Sequence, residues 1–175
     1  MPLYLVEIPL GGRGEAEVVE ALDAISKALE GDGEIIEAQI GLEAGRAFLV
    51  AEAPEAARLE QAVQRAGLEV TQAKEVLLVG AELEEVKAKA GKANYLVEWN
   101  LPAGLTMEQY LERKKEKSAN YALVPEVSFE RTYVCTDMSK CLCFYDSPGE
   151  EWVKKAREAV EAPIDSLTSI KQVGA

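Results

Sequence analysis

The chain contains no histidine. That removes Ser–His–Asp and Cys–His catalysis, HExxH zinc hydrolysis and every general-base step on imidazole. It also removes the commonest neutral metal ligand. Cysteine is scarce: three residues, an odd number, all within 135–143. A disulfide framework is therefore not expected, and a cytoplasmic protein with reduced thiols is. Basic residues are the minority, 19 against 31 acids, for a net charge of −12. The sequence pI is near 4.6. That balance argues against nucleic acid as a partner, because phosphate binding needs clustered Lys and Arg. No apolar run approaches the length of a membrane span. Residues 1–7 carry neither a basic stretch nor a cleavage site, so secretion is not expected.

What is present is an ordinary globular composition: 175 residues, 48% hydrophobic and 29% charged. This suffices for one medium domain or two small ones. The chain reads as one unit written twice. Tyr4-Leu5-Val6-Glu7 recurs as Tyr95-Leu96-Val97-Glu98. Arg46 to Pro54 lines up with Lys140 to Pro148: a basic residue, an apolar run, an acid and a proline in order. Two echoes at nearly constant offset point to duplication.

Each half parses alike. In the first, strands near 2–9, 34–41, 46–52 and 70–79 alternate with helices near 15–30 and from Pro54 to Gly67. Val18, Leu22, Ile25 and Leu29 form an apolar helical stripe. In the second, a strand at 94–100 precedes a helix opened by the capping box Thr106-Met107-Glu108-Gln109. Strands near 127–136 and 140–146 form a hairpin. Ser147-Pro148-Gly149-Glu150 reads as another capping box, with proline at the first helical position. A last strand covers about 166–173. Both halves thus have the β-α-β-β-α-β order of a ferredoxin-like unit. Such a unit covers one face of its sheet with helices and must bury the other. The expected architecture is α+β: two tandem ferredoxin-like repeats packed sheet to sheet as a pseudo-dimer, like a dimeric α/β barrel. Residues 1–79 form a degenerate repeat, 80–93 a helical linker, and 94–175 the repeat that carries the chemistry. The chain is expected to be a monomer, although two chains could associate.

The hairpin around Met138 carries the residues of interest. Strand side chains alternate between faces. A turn centred on Met138 puts Cys135, Cys141 and Cys143 on one face with Tyr133 and Tyr145. Leu142 and Phe144 take the other face and are expected to meet the helices. Glu98, which alternates with Val97 and Trp99, then joins the thiols in the space between sheets, with Arg131 as its candidate partner. Clustered thiolates suit copper(I), zinc and related ions. Against that stands the bland reading of cysteine as a small buried hydrophobe. Residues 1–91 hold 18 acids and 8 bases, so most of the net charge sits in the first half. Gly11-Gly12-Arg13-Gly14 reads as a flexible turn rather than an anion cradle, since Glu15 and Glu17 occupy the helix end behind it. The run Arg113-Lys114-Lys115-Glu116-Lys117 reads as a solvated helix face or a docking site for an acidic partner or lipid head group.

The second half resembles a known family. Residues 95–106, Tyr-Leu-Val-Glu-Trp-Asn-Leu-Pro-Ala-Gly-Leu-Thr, look like its opening strand followed by Leu-Pro-Gly-Leu-Thr. Cys141-Leu142-Cys143-Phe144-Tyr145-Asp146-Ser147-Pro148 looks like its "Cys, apolar, acid, Ala-Pro" strand. This is the family of small bacterial ferredoxin-like proteins typified by an actinobacterial nickel-binding protein, most of whose members have no assigned function. The resemblance implies ferredoxin-like subunits that pair through their sheets, with possible transition-metal binding. It covers 94–173, and 2–79 only as a degenerate copy.

Three functions follow as expectations. The first is a metal- or small-ligand-binding protein with Cys135, Cys141 and Cys143 as ligands and Glu98, Tyr133, Tyr145 and Arg131 nearby. The second is a small-molecule enzyme with Glu98 as base and Tyr133 or Tyr145 as acid. The third is a structural or partner-binding module.

Overall fold

The computed structural model describes residues 1–174. The chain divides into two compact units. The first takes in residues 1–76, 83–90 and the segment from Ile170; the second takes in 77–82 and 91–169. The protein is α+β.

The first unit runs β1 (Leu3–Pro9), α1 (Glu15–Leu29), β2 (Glu34–Gly41), β3 (Arg46–Glu52), α2 (Ala56–Arg65) and β4 (Gln72–Val79), whose last residues belong to the second unit. α3 (Leu83–Lys89) follows. The strand order β4-β1-β3-β2 is the ferredoxin-like one, with antiparallel neighbours. α1 buries Val18, Leu22, Ile25 and Leu29, the stripe that the 3.6-residue spacing defines. α2 starts two residues after Pro54, with Glu55 as its cap.

The second unit runs β5 (Tyr95–Asn100), α4 (Met107–Lys117), a 3₁₀ turn at Ser118–Leu123, β6 (Ser128–Cys135), β7 (Lys140–Asp146), α5 (Glu150–Ala159) and β8 (Ser166–Ser169). Its order, β8-β5-β7-β6, repeats that of the first unit. The strand read through to 173 breaks at Ile170. The two residues beyond it, β9 (Lys171–Gln172), pair with β2 of the first unit instead.

The capping box at α4 forms as its spacing demands. The Gln109 amide donates to Thr106 Oγ1 at 3.1 Å, and the Thr106 amide donates to Gln109 Oε1 at 3.0 Å. The box expected at Ser147 does not. α5 begins at Glu150 behind Gly149, and the Ser147 hydroxyl donates to the Gly149 carbonyl at 2.8 Å. Ser147 is instead clasped by Asn94, whose side chain both accepts from its amide and donates to its carbonyl.

The β6–β7 hairpin settles which side chains share a face. Its loop is Thr136-Asp137-Met138-Ser139, four residues. The Met138 amide donates to the Cys135 carbonyl at 2.9 Å, and Asp137 Oδ1 accepts from the Ser139 amide at 2.9 Å. Met138 takes a left-handed φ of 61°. An even loop puts Val134 opposite Cys141, Tyr133 opposite Leu142 and Thr132 opposite Cys143. The expected register is wrong by one residue, and such a slip exchanges the two faces of a strand.

Candidate functional site

Three rows of side chains cross the second unit on the face that packs against its helices. They are Tyr95–Tyr145–Phe129, Val97–Cys143–Thr132 and Trp99–Cys141–Val134. Val97, Cys141, Cys143 and Tyr145 form one core with Tyr110 of α4 and Val153 and Ala156 of α5. The opposite face carries Leu96–Phe144–Arg131 and Glu98–Leu142–Tyr133. The Cys/Tyr face of β7 was expected to look away from the helices; it looks toward them. Leu142 and Phe144, expected on the helix side, lie on the other.

The correction divides the candidate residues. Cys141, Cys143 and Tyr145 stand on the helix side. Cys135 shares parity with Tyr133 and stands on the other side, with Glu98 and Arg131. The three thiols therefore do not share a face, and Tyr133 does not share one with Tyr145. Glu98 forms its ion pair with Lys140 at 2.7 Å, the two side chains being 6% and 14% exposed. Arg131 lays its guanidinium over the Phe144 ring at 4.9 Å. Tyr133 packs edge-on against the same ring. Burial pushes the Cys135 thiol up.

On the helix side lies a residue that the sequence reading passed over. Arg157 of α5 is 2% exposed. Its Nη1 donates to Cys143 Sγ at 3.3 Å and to Tyr145 Oη at 3.1 Å, and its Nη2 donates to the Pro163 carbonyl at 2.6 Å. Its Nε, also buried, has no hydrogen-bond partner among the described residues. Cys143 Sγ further accepts from Thr132 Oγ1 at 3.2 Å. Tyr145 Oη is 2.7 Å from Tyr121 Oη.

A buried guanidinium requires an anion. Of the groups that Arg157 touches, Cys143 is the one that can supply it. Hydrogen bonding from Cys141 holds the Cys143 thiol well below the usual range, and the Lys114 and Arg157 charges and the Thr132 hydroxyl add to it. Cys141, which gives its proton to that bond and is itself buried, is pushed up. The phenols move the other way from Cys143. Burial raises Tyr110 and Tyr145, with the Cys143 thiolate adding to both. Burial likewise takes Tyr121 to about 12. Burial is the largest single influence on Arg157 and opposes its charge, but Cys143, Tyr145 and Tyr121 together more than restore it. The site thus brings together a thiol held toward its ionised form, a guanidinium and phenols held toward their neutral form, able respectively to accept a proton or attack, to steady negative charge, and to donate.

Beside this network opens a cavity of about 30 Å³. Trp99, Tyr110, Tyr121, Cys143 and Arg157 line it, with Arg113, Lys114 and Lys117 of α4. The basic run read as a solvated face thus turns part of itself inward. Lys114 Nζ lies 4.5 Å above the Phe129 ring, and Arg113 reaches over Trp99. Arg113 also donates to the Glu161 carbonyl at 2.5 Å, while Lys117 pairs with the Glu161 carboxylate. Arg157 had a sequence signal. It lies four residues after Val153 and three before Val160, on the apolar stripe of α5.

Comparison with known proteins gives a family match and a set of structural likenesses. The family model described as "Nickel responsive protein SCO4226-like" matches residues 95–170, within the segment whose motifs resemble that family. Among curated proteins, none matches the chain. An inferred chlorite dismutase has a similar structure at TM-score 0.60 and 9% identity, over 99% of this chain and 96% of the other. A mutant chlorite dismutase from Candidatus Nitrospira defluvii is similar at TM-score 0.55 and 11% identity, over 99% and 92%. An inferred monooxygenase from Fusobacterium nucleatum is similar at TM-score 0.55 and 8% identity, over 99% and 92%. At these identities the likeness is one of fold.

These results correct the expectation of a thiol-lined metal- or ligand-binding protein. The structures that share the fold carry the names of enzymes. Among the described residues, no three His, Cys, Asp or Glu side chains are grouped to hold a metal ion. The residues present therefore do not fit the nickel of the family's description. No described helix is long and apolar enough to cross a membrane. The chain is an α+β protein similar in fold to chlorite dismutase structures, and its residues 95–170 match the nickel-responsive family.

Proposed function

We propose that the chain is a small-molecule enzyme that works by acid–base chemistry in the cavity of its second unit. The Cys143 thiolate is the base, and the Tyr121 phenol, backed by Tyr145, is the donor. Arg157 keeps the thiolate charged and steadies negative charge that develops on the substrate. One observation carries the reading: the buried Arg157–Cys143 hydrogen bond and the Tyr121 phenol, bonded to Tyr145 behind it, meet at one cavity. Groups of opposite proton affinity held side by side are what a proton transfer at neutral pH requires. The enzyme names of structures that share the fold support the class and leave the reaction open. Of the pair expected from the sequence, Tyr145 keeps a place as the phenol behind the donor. The base passes from Glu98, held by Lys140 across the sheet, to Cys143. A cytoplasmic setting belongs to the proposal, because an ionised thiol persists where thiols stay reduced. So does descent of the two units from one ancestral copy, with the first unit degenerate, which their shared strand order supports.

The test is solvent exchange. The protein is incubated in deuterated water with a mixture of small carbonyl compounds and organic acids, and mass spectrometry follows deuterium uptake. Uptake into particular compounds should be slowed at least about 100-fold by Cys143→Ala and about tenfold by Tyr121→Phe. Uptake that survives both substitutions would overturn the assignment.

A further inference from the structure

We propose that the cavity is a carboxylate site: the substrate is a small organic acid, held by its carboxylate between Arg157 and Lys114, with Arg113 and Lys117 at the rim. The proposal rests on the reading above for its catalytic meaning, but its geometry stands alone. The lining carries four cationic side chains and no Asp or Glu. In a chain with 31 acids and 19 bases, such a lining runs against the composition. The cationic run on α4 would serve solubility equally well if it faced outward throughout. Instead Lys114 and Lys117 are half-buried, and Arg113 joins them around the opening.

The second, independent observation is the unused donor. Arg157 is nine-tenths buried and more, it lines the cavity, and its Nε–H has no acceptor among the described residues. A buried unsatisfied donor on a charged group is costly, and a bound oxyanion removes that cost. Cys143 neutralises one of the four cations and Glu161 pairs with Lys117, so positive charge remains for a ligand. The space selects among oxyanions. A water needs roughly 10–15 Å³ of such volume, so about 30 Å³ admits two oxygen-sized centres. That suits the flat two-oxygen head of a carboxylate, with its organic body toward the opening, better than a four-oxygen phosphate. Trp99 and Tyr110 supply aromatic walls for the short organic body behind the carboxylate.

The test uses two alkylating reagents that differ in one group. Iodoacetate carries a carboxylate, and iodoacetamide carries a neutral amide. With either, the thiolate sulfur attacks the CH₂ carbon, an S–C bond forms, the C–I bond breaks and iodide leaves. Free thiolates favour the neutral reagent. A carboxylate site beside Cys143 should reverse the order, with iodoacetate faster by about tenfold and its rate saturating. Peptide mass spectrometry should place the label on Cys143. Acetate should protect and inorganic phosphate should not. Lys114→Gln combined with Arg113→Gln should bring the ratio of the two rates to about one or below, the ratio cancelling any change in Cys143 ionisation common to both reagents; Lys114→Arg should retain the preference and Lys27→Gln should not change it. Faster labelling by iodoacetamide, equal protection by phosphate, or a Cys143 that resists both reagents would overturn the carboxylate site. Iodoacetate preference without deuterium exchange would leave this site standing and remove the acid–base reading instead.

Discussion

The Arg157–Cys143 pair makes a quantitative demand on stability. Replacing Arg157 with Met keeps most of the side-chain length and removes the charge. Three hydrogen bonds are lost, to Cys143, Tyr145 and the Pro163 carbonyl. Breaking a buried pair from one side costs about 3–5 kcal/mol. Here the stranded thiolate can take up a proton, so the cost should sit near the lower end, about 3 kcal/mol. For a chain of this size that corresponds to a fall of roughly 10 °C in Tm. Cys143→Ala strands the guanidinium, which cannot discharge itself, and should cost as much or more. The double variant strands neither charge. A double-mutant cycle should therefore give a favourable coupling of about 2 kcal/mol. The assay is urea denaturation under reducing conditions, followed by tryptophan fluorescence. Trp99 and Trp152 are the tryptophans of the chain and both lie in the second unit, so the signal reports on that unit. If the single changes each cost less than about 1 kcal/mol and add within about 0.5 kcal/mol, Cys143 is not ionised, and the electrostatic argument for the site fails.

Two further predictions concern charge. The folded-state pKa of Cys143 lies below the unfolded value of about 8.5. Its contribution is therefore fully present above about pH 8.5 and is lost as pH falls through the folded value. The stability gap between the wild type and Cys143→Ala should narrow on acidification, and thiolate ultraviolet absorbance should show a cysteine titrating below the free-thiol range that moves to higher pH in Arg157→Met. A gap that widens toward acid would refute the sign. Across the sheet, Glu98→Gln leaves the largely buried Lys140 without its paired charge. It should lower stability by about 2–3 kcal/mol yet leave iodoacetate labelling of Cys143 unchanged, since the two groups lie on opposite faces; a loss of labelling would show that the faces are coupled.

Why the elements were legible in this sequence and the site was not comes down to parity. The stripe on α1, the Thr106–Gln109 box and both ferredoxin-like strand orders follow from local spacing, which a single sequence carries. On β5 the same logic worked: Tyr95, Val97 and Trp99 do face the helices, and Glu98 does not. It failed on β7 because both faces there are buried. Leu142, Phe144, Cys141 and Tyr145 are each fully inaccessible, so hydrophobicity no longer distinguishes one face from the other. What then decides the face is the number of loop residues. The Asp137 turn and the left-handed Met138 make that number even, where a loop centred on Met138 is odd. Arg157 was hidden by a different ambiguity. A cation four residues before Glu161 reads as a surface helical pair. Yet Glu161 lies beyond the last turn of α5 at a φ of 55° and gives its carboxylate to Lys117. Once that acid is spent on α4, Arg157 has no carboxylate among its hydrogen-bond partners, and the buried stripe of α5 carries it onto the one thiol that can balance its charge.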